Sequence, residues 1–184
     1  MRLSRNHIGI LLIIFLFIAL LVYNISNNTN FGYNTNNIFN TNDSSIKTYS
    51  ANGVSFNYPA IWKIEENNEY GSNMIYVFKN RSSYSTMAII QITHNPMGLT
   101  DQDAWDLIQN SENPEGTKQI SNQTITFDGE KAYEQIFVGD SMKQQYITFV
   151  KNENTYSLVF QAPEKDYNNQ KPNFDIILNS FKVD

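Results

Sequence analysis

The chain has 184 residues, a formal net charge of −5, no cysteine and two histidines. Lack of cysteine excludes disulfides, cysteine-borne lipid and His/Cys zinc sites, and the acidic balance argues against nucleic acid or an anionic lipid surface as partner. With 41% hydrophobic residues, the chain can still build one core without covalent staples.

Arg2 and Arg5 precede an unbroken apolar run, Ile8 to Tyr23. As a helix it spans about 24 Å, a little less than a hydrocarbon core of ~30 Å, so His7, Asn24 and Ile25 would complete the crossing with slight bilayer thinning. The next basic residue is Lys47. Residues 1–7 are therefore expected in the cytoplasm, 8–23 as a single-pass signal anchor in the cell membrane, and everything beyond on the extracytoplasmic side. A cleaved signal peptide fits less well, because Asn24-Ile25-Ser26 lacks the small residues of a cleavage site.

Residues 24–45 are dominated by Asn, Ser and Thr and have no apolar periodicity, which predicts a flexible linker with a reach of about 25 Å. N-x-S/T sequons at Asn24, Asn27, Asn42, Asn80 and Asn122 are candidate glycosylation sites, although a chain so rich in Asn acquires several by chance.

From residue 46 to 184 the pattern is that of one α+β domain. Lys47–Ala51 and Val54–Asn57 flank Asn52-Gly53, a two-residue hairpin signal. Trp62–Glu65, Met74–Lys79 and Met87–His94 read as further strands. Thr100 can cap a helix whose third position is Asp103, with Ala104, Leu107 and Ile108 at helical spacing. Four strands then follow through short turns: Thr124–Phe127, Lys131–Val138, Met142–Val150 and Thr155–Ala162, with turns expected at Asp128-Gly129, Gly139-Asp140 and Asn152-Glu153-Asn154. This antiparallel meander carries apolar residues on both faces, Ala132, Ile136 and Val138 against Tyr133 and Phe137, which predicts cover on both. A second helix, about Asp166 to Asn179, would start near Pro172 or kink there, and Phe181–Val183 would close the domain as a short strand. The expected fold is a central antiparallel sheet with helices on both faces.

The opening Tyr49-Ser-Ala-Asn-Gly-Val-Ser-Phe-Asn-Tyr-Pro-Ala-Ile-Trp62, a strand running into Tyr-Pro-x-x-Trp, and the closing Phe174-x-x-Ile177-Leu-x-Ser180-Phe-Lys-Val183 resemble the PsbP-like family. The resemblance covers about Ile46 to Asp184 and rests on packing positions and a turn. It implies an antiparallel sheet sandwiched by helices, used as a non-catalytic docking or binding module, and it carries over no functional residue.

Chemical constellations are sparse. His94 is the one histidine beyond the expected anchor, just before Asn95-Pro96, and reads as a strand-end residue with a local hydrogen bond. Asp101-x-Asp103-x-x-Asp106 lacks the glycine of a calcium loop and suits a helix N-terminus instead. Glu65, Glu66 and Glu69 read as a solvated acidic loop. No catalytic group, cofactor or metal is implied. Tyr70 and Tyr84, in polar stretches, are the candidate exposed aromatics for binding. The expectation is a membrane-tethered module docking onto an envelope protein or membrane complex. The alternatives are an extracytoplasmic enzyme acting on envelope polymers or peptides, and a small-ligand or metal-binding module.

Overall fold

The computed structural model describes residues 45–184 except 70–71, 80–84, 96–99 and 112, with the backbone alone at Glu69 and Asp101. The expected anchor and linker up to residue 44, Tyr70, Tyr84, and the sequons at Asn24, Asn27, Asn42 and Asn80 lie outside the described residues. No helix among the described residues is long and apolar enough to cross a membrane.

Strand β1 (Ile46–Ala51) turns at Asn52-Gly53 into β2 (Val54–Pro59), and both turn residues have positive φ, 55° and 73°. Asn and Gly tolerate that left-handed backbone, so the sequence dictates the hairpin. The C-terminal strand β10 (Lys182–Val183) pairs antiparallel with β2, which completes a small three-stranded sheet.

The remaining strands are β3 (Lys63–Glu69), β4 (Ser72–Phe78), β5 (Met87–His94), β6 (Lys118–Phe127), β7 (Glu130–Gly139), β8 (Met142–Lys151) and β9 (Asn154–Pro163). They form one antiparallel sheet in the order β3-β4-β5-β9-β8-β7-β6, so the meander is joined to the earlier strands through β5 and β9. Helix α1 (Asp101–Gln109) lies between β5 and β6, and α2 (Glu164–Ser180) follows β9.

Two faces of the large sheet differ. Face A carries Ile75, Val77, Ala88, Ile90, Ile147, Phe149, Leu158 and Phe160, and it packs on Tyr167, Phe174 and Ile177 of α2 and on Val54 and Phe56 of the small sheet. Face B carries a separate apolar cluster, among it Met74, Phe78, Met87, Phe137 and Val159. Ala104 and Ile108 of α1 cover Val150 and Tyr133 on this face, while Trp105 meets Tyr133 edge-on. Each face thus receives one helix, but face A is shared with a second sheet, and α1, about 13 Å long, reaches only the β7–β8 end of face B.

Several expectations need correction. The third strand starts after Trp62, which packs edge-on to Phe174, and it runs on to Glu69, so the acidic cluster is part of a strand. Pairing with Tyr76 and Ile75 places Glu65 and Glu66 on opposite faces, which rules them out as a joint cation site. β6 begins six residues earlier than expected. The two-residue turns fall at Asp140-Ser141 and Asn152-Glu153, where all four residues have positive φ. Gly139 stays in the strand opposite Met142, and it must be glycine there because the segment Gly116-Thr117 crosses it so closely that a Cβ would lie 2.9 Å from the Thr117 Cα. Helix α2 contains Pro172 in its interior rather than starting at it.

Candidate functional site

The sequence-predicted chemical residues are dispersed. His94 ends β5 and its Nδ1 lies 3.3 Å from Asn154 Oδ1, a local contact at an exposed position. Thr100 accepts from the Asp103 N–H at 3.1 Å while Asp103 Oδ2 accepts from the Thr100 N–H at 3.1 Å, a reciprocal cap. The Thr100 hydroxyl and N–H together hold the Asp103 carboxyl below its ordinary range. Among the described residues no group of three potential ligands could hold a metal ion. Of the five sequons only Asn122 is described; it is exposed on β6, opposite Gln135.

Two features that local sequence signals do not reveal stand out. The first is a buried polar row on face B. Among the described residues every buried polar side chain except Gln145 belongs to this face or its margin. Its centre follows from strand register: Ser72 is opposite Thr93, Thr93 opposite Thr155, Gln91 opposite Ser157, and Ser157 opposite Thr148. Ser72 Oγ and Thr93 Oγ1 are 2.9 Å apart, and Gln91 Nε2 donates to both, at 3.4 and 3.3 Å. Just past β5, Asn95 Oδ1 accepts from Thr155 Oγ1 at 2.7 Å, and its N–H donates to the Glu153 carbonyl at 2.8 Å. Gln91 and Asn95 are each only 5% exposed, yet Gln91 Oε1 and Asn95 Nδ2 have no hydrogen-bond partner among the described residues. Such orphans cost about 1–3 kcal/mol each.

The second feature is the contrast between the sheet's two edge strands. β3, KIEENNE, carries four charges along its length, which discourages a further strand from adding to it. β6, KQISNQTITF, has one charge, at Lys118, and nothing charged from Gln119 to Phe127. Most of its side chains are exposed, Ile120 to 50%, and no described strand pairs with its outer side. A register shift between Gln119 and Ser121 is the one irregularity that blunts this edge.

The opposite end of β6 is fastened. Asp128, at the β6–β7 turn, accepts from Lys151 Nζ at 2.8 Å, Lys182 Nζ at 3.1 Å and the Val183 N–H at 3.0 Å. Burial alone would raise its carboxyl, but these donors hold it below the ordinary carboxylate range. On face A, burial pushes the Tyr167 hydroxyl well above its usual range; it donates to Gln145 Oε1 at 2.9 Å and stays a neutral hydrogen-bond donor.

One solved structure shares this architecture. The solution structure of cyanobacterial PsbP from Synechocystis sp. PCC 6803 matches with a TM-score of 0.55 at 17% identity, over 82% of this chain and 99% of that one. LpqN of Mycobacterium tuberculosis, described as involved in cell envelope biogenesis, gives a TM-score of 0.45 at 11% identity over 75% of this chain and 90% of that one. No curated protein matches the sequence. The sequence profile of the family described as PsbP-like protein matches residues 8–183, from the apolar run to the last strand. The chain belongs to the PsbP-like protein family.

Proposed function

We propose that this protein is a membrane-tethered, extracytoplasmic binding or assembly module without catalytic activity, which docks onto an envelope protein or membrane complex. The observation that carries the reading is β6, a ten-residue, almost uncharged strand at the open edge of a seven-stranded sheet. Such an edge offers a row of backbone donors and acceptors to an extended segment of a partner, with alternate side chains supplying specificity. Family membership supports a module that works by contact. The apolar run at Ile8–Tyr23 supports tethering, with the domain held near the bilayer by the Asn-rich linker.

The test uses the full-length protein in its native membrane, with a photo-cross-linking residue at Thr126 on β6 and, as control, at Asn67 on β3. One partner cross-linked from β6 alone, and lost when Asn122 and Thr124 are both replaced by Lys, is the expected result. Equal products from β3 and β6, or a product indifferent to the lysines, overturns strand addition at β6.

A further inference from the structure

We propose that the end of the domain where the linker joins it, with Ile46 and Ile61 exposed beside Lys47 and Lys63, rests on the phospholipid headgroup layer of the bilayer. The inference rests on the tethered reading above and adds an orientation to it. Three large hydrophobic side chains stand exposed among the described residues: Ile120 on β6, Ile46 at 55% and Ile61 at 44%. Ile46 and Ile61 belong to one place, because the Ala60 N–H donates to the Ser45 carbonyl at 3.0 Å and ties the start of β1 to the segment between β2 and β3. Neither packs in the core, which Tyr49, Phe56 and Trp62 fill at this side.

Charge separates this end from the rest of the molecule. From Ser45 onward the chain carries Lys47 and Lys63 before its first carboxylate, Glu65, although it has 18 acidic and 13 basic residues overall. Both lysines are exposed, and neither forms an ion pair with a described residue. Carboxylates do touch the small sheet, but at its other end. Glu66 accepts from Asn52 Nδ2 at 2.9 Å, Asp184 from Ser55 Oγ at 3.3 Å, and Asp128 from the N–H of Val183, which lies opposite Val54. The six residues of β1 set the two ends about 17 Å apart. The acidic balance of the whole chain therefore opposes a headgroup layer least where the linker arrives.

The linker also names the occupant. Residues 24–44 have a reach of about 25 Å from the end of the apolar run and deliver Ser45 to the bilayer, not the far side of the domain. Two isoleucines and two lysines are too few to hold a free domain on lipid. On a tether the contact is intramolecular, at an effective concentration on the order of mM, and a weak contact then suffices to choose which end faces down. The isoleucines reach toward the boundary of headgroups and acyl chains, while the lysine stems lie along them and place their ammonium groups at lipid phosphates. Lys63 opens β3, the edge of the seven-stranded sheet opposite to β6, so lipid contact here leaves β6 open to a partner.

The chain has no cysteine, so an introduced one takes a single fluorophore. The experiment reconstitutes the full-length protein into vesicles of phosphatidylcholine and phosphatidylglycerol in which part of the lipid has brominated, quenching acyl chains. The label is placed by Thr48→Cys, exposed on β1 two residues from Ile46, or by the control Gln102→Cys, exposed on α1 over the opposite face of the large sheet. Quenching at position 48 is expected to be about twofold stronger than at 102. Replacing Ile46 and Ile61 together by Ser is expected to bring it down to the level at 102 with the melting temperature unchanged, since both side chains are exposed. Lys47→Glu combined with Lys63→Glu is expected to do the same. Flotation with the vesicles reads the tether by itself. Protein that floats while the two positions quench alike, or while quenching at 48 ignores the serines, overturns the lipid contact and leaves the tether standing. Protein that does not float overturns the tether, and the proposal falls with it.

Discussion

Asp128 shows how much one side chain can organise. Its φ of 49° sets the turn between β6 and β7, and its carboxylate, 6% exposed, ties that turn to β8 through Lys151 and to the C-terminal strand through Lys182 and Val183. Replacing it by Asn keeps a residue that tolerates the left-handed turn, so the substitution isolates the charge. The three charge-assisted bonds to the carboxylate weaken, and the expected cost at neutral pH is about 1–2 kcal/mol. Because the folded-state carboxyl is held below its unfolded value, this contribution is fully present above the unfolded pKa. It is lost as pH falls through the folded one. Urea denaturation of wild type and Asp128→Asn should therefore show a gap at pH 7 that closes in strong acid. A gap independent of pH would place the effect in the turn backbone and not in the carboxylate.

At the scale of single elements, the turns of the meander show what short-range chemistry decides and what it leaves to pairing. Asn152-Glu153 and Asp140-Ser141 hold all four residues at positive φ without a glycine among them. Glu153→Gly creates the Asn-Gly pair that this turn favours, and a gain of about 0.5–1 kcal/mol in thermal or chemical denaturation is expected. An unchanged or lower stability would mean that the Glu153 carbonyl bond to Asn95 already enforces the turn, and that glycine only loosens the unfolded chain. The Asn52-Gly53 hairpin, the bounds of β5 and the Thr100 cap were legible because each depends on residues within a few positions of one another. The first half of β6, Lys118 to Gln123, was not legible: KQISNQ has neither alternation nor β-branched density, and it is a strand because β7 pairs with it. Nor was the polar row. Ser72, Gln91, Thr148 and Ser157 each look like ordinary solvent-facing strand residues, and only the register of four strands, two of them some sixty residues apart in sequence, brings them together.

Taken as a whole molecule, the domain has its chain ends locked into the same small sheet. Ser180 Oγ accepts from the Asn57 N–H at 2.8 Å, the Asp184 N–H donates to the Gly53 carbonyl at 3.1 Å, and Phe181 stacks on Phe56 and Phe127. Strands β8 and β9 carry core residues of face A and face B on alternate positions, so neither face can come apart while the other keeps its register. The two tryptophans report on these faces separately, since Trp62 packs against Phe174 of α2 on face A and Trp105 sits on α1 over face B. Residues 45–184 produced without the N-terminal segment are expected to unfold in one transition, with the single-tryptophan variants Trp62→Phe and Trp105→Phe giving coincident curves. Helix α1 is the place where this could break down: it is short, and Lys131 over the Trp105 ring at 4.3 Å is among its few fastenings. A Trp105 signal lost well before that of Trp62 would show that α1 lifts from face B as its own unit. Removal of Phe181–Asp184 should act in the opposite region, deleting a fully packed aromatic and β10 together, at an expected cost of about 3–5 kcal/mol. If that truncated protein still melts within a few degrees of the longer one, the C-terminal strand is an ornament of the small sheet, and closure of face A rests on α2 alone.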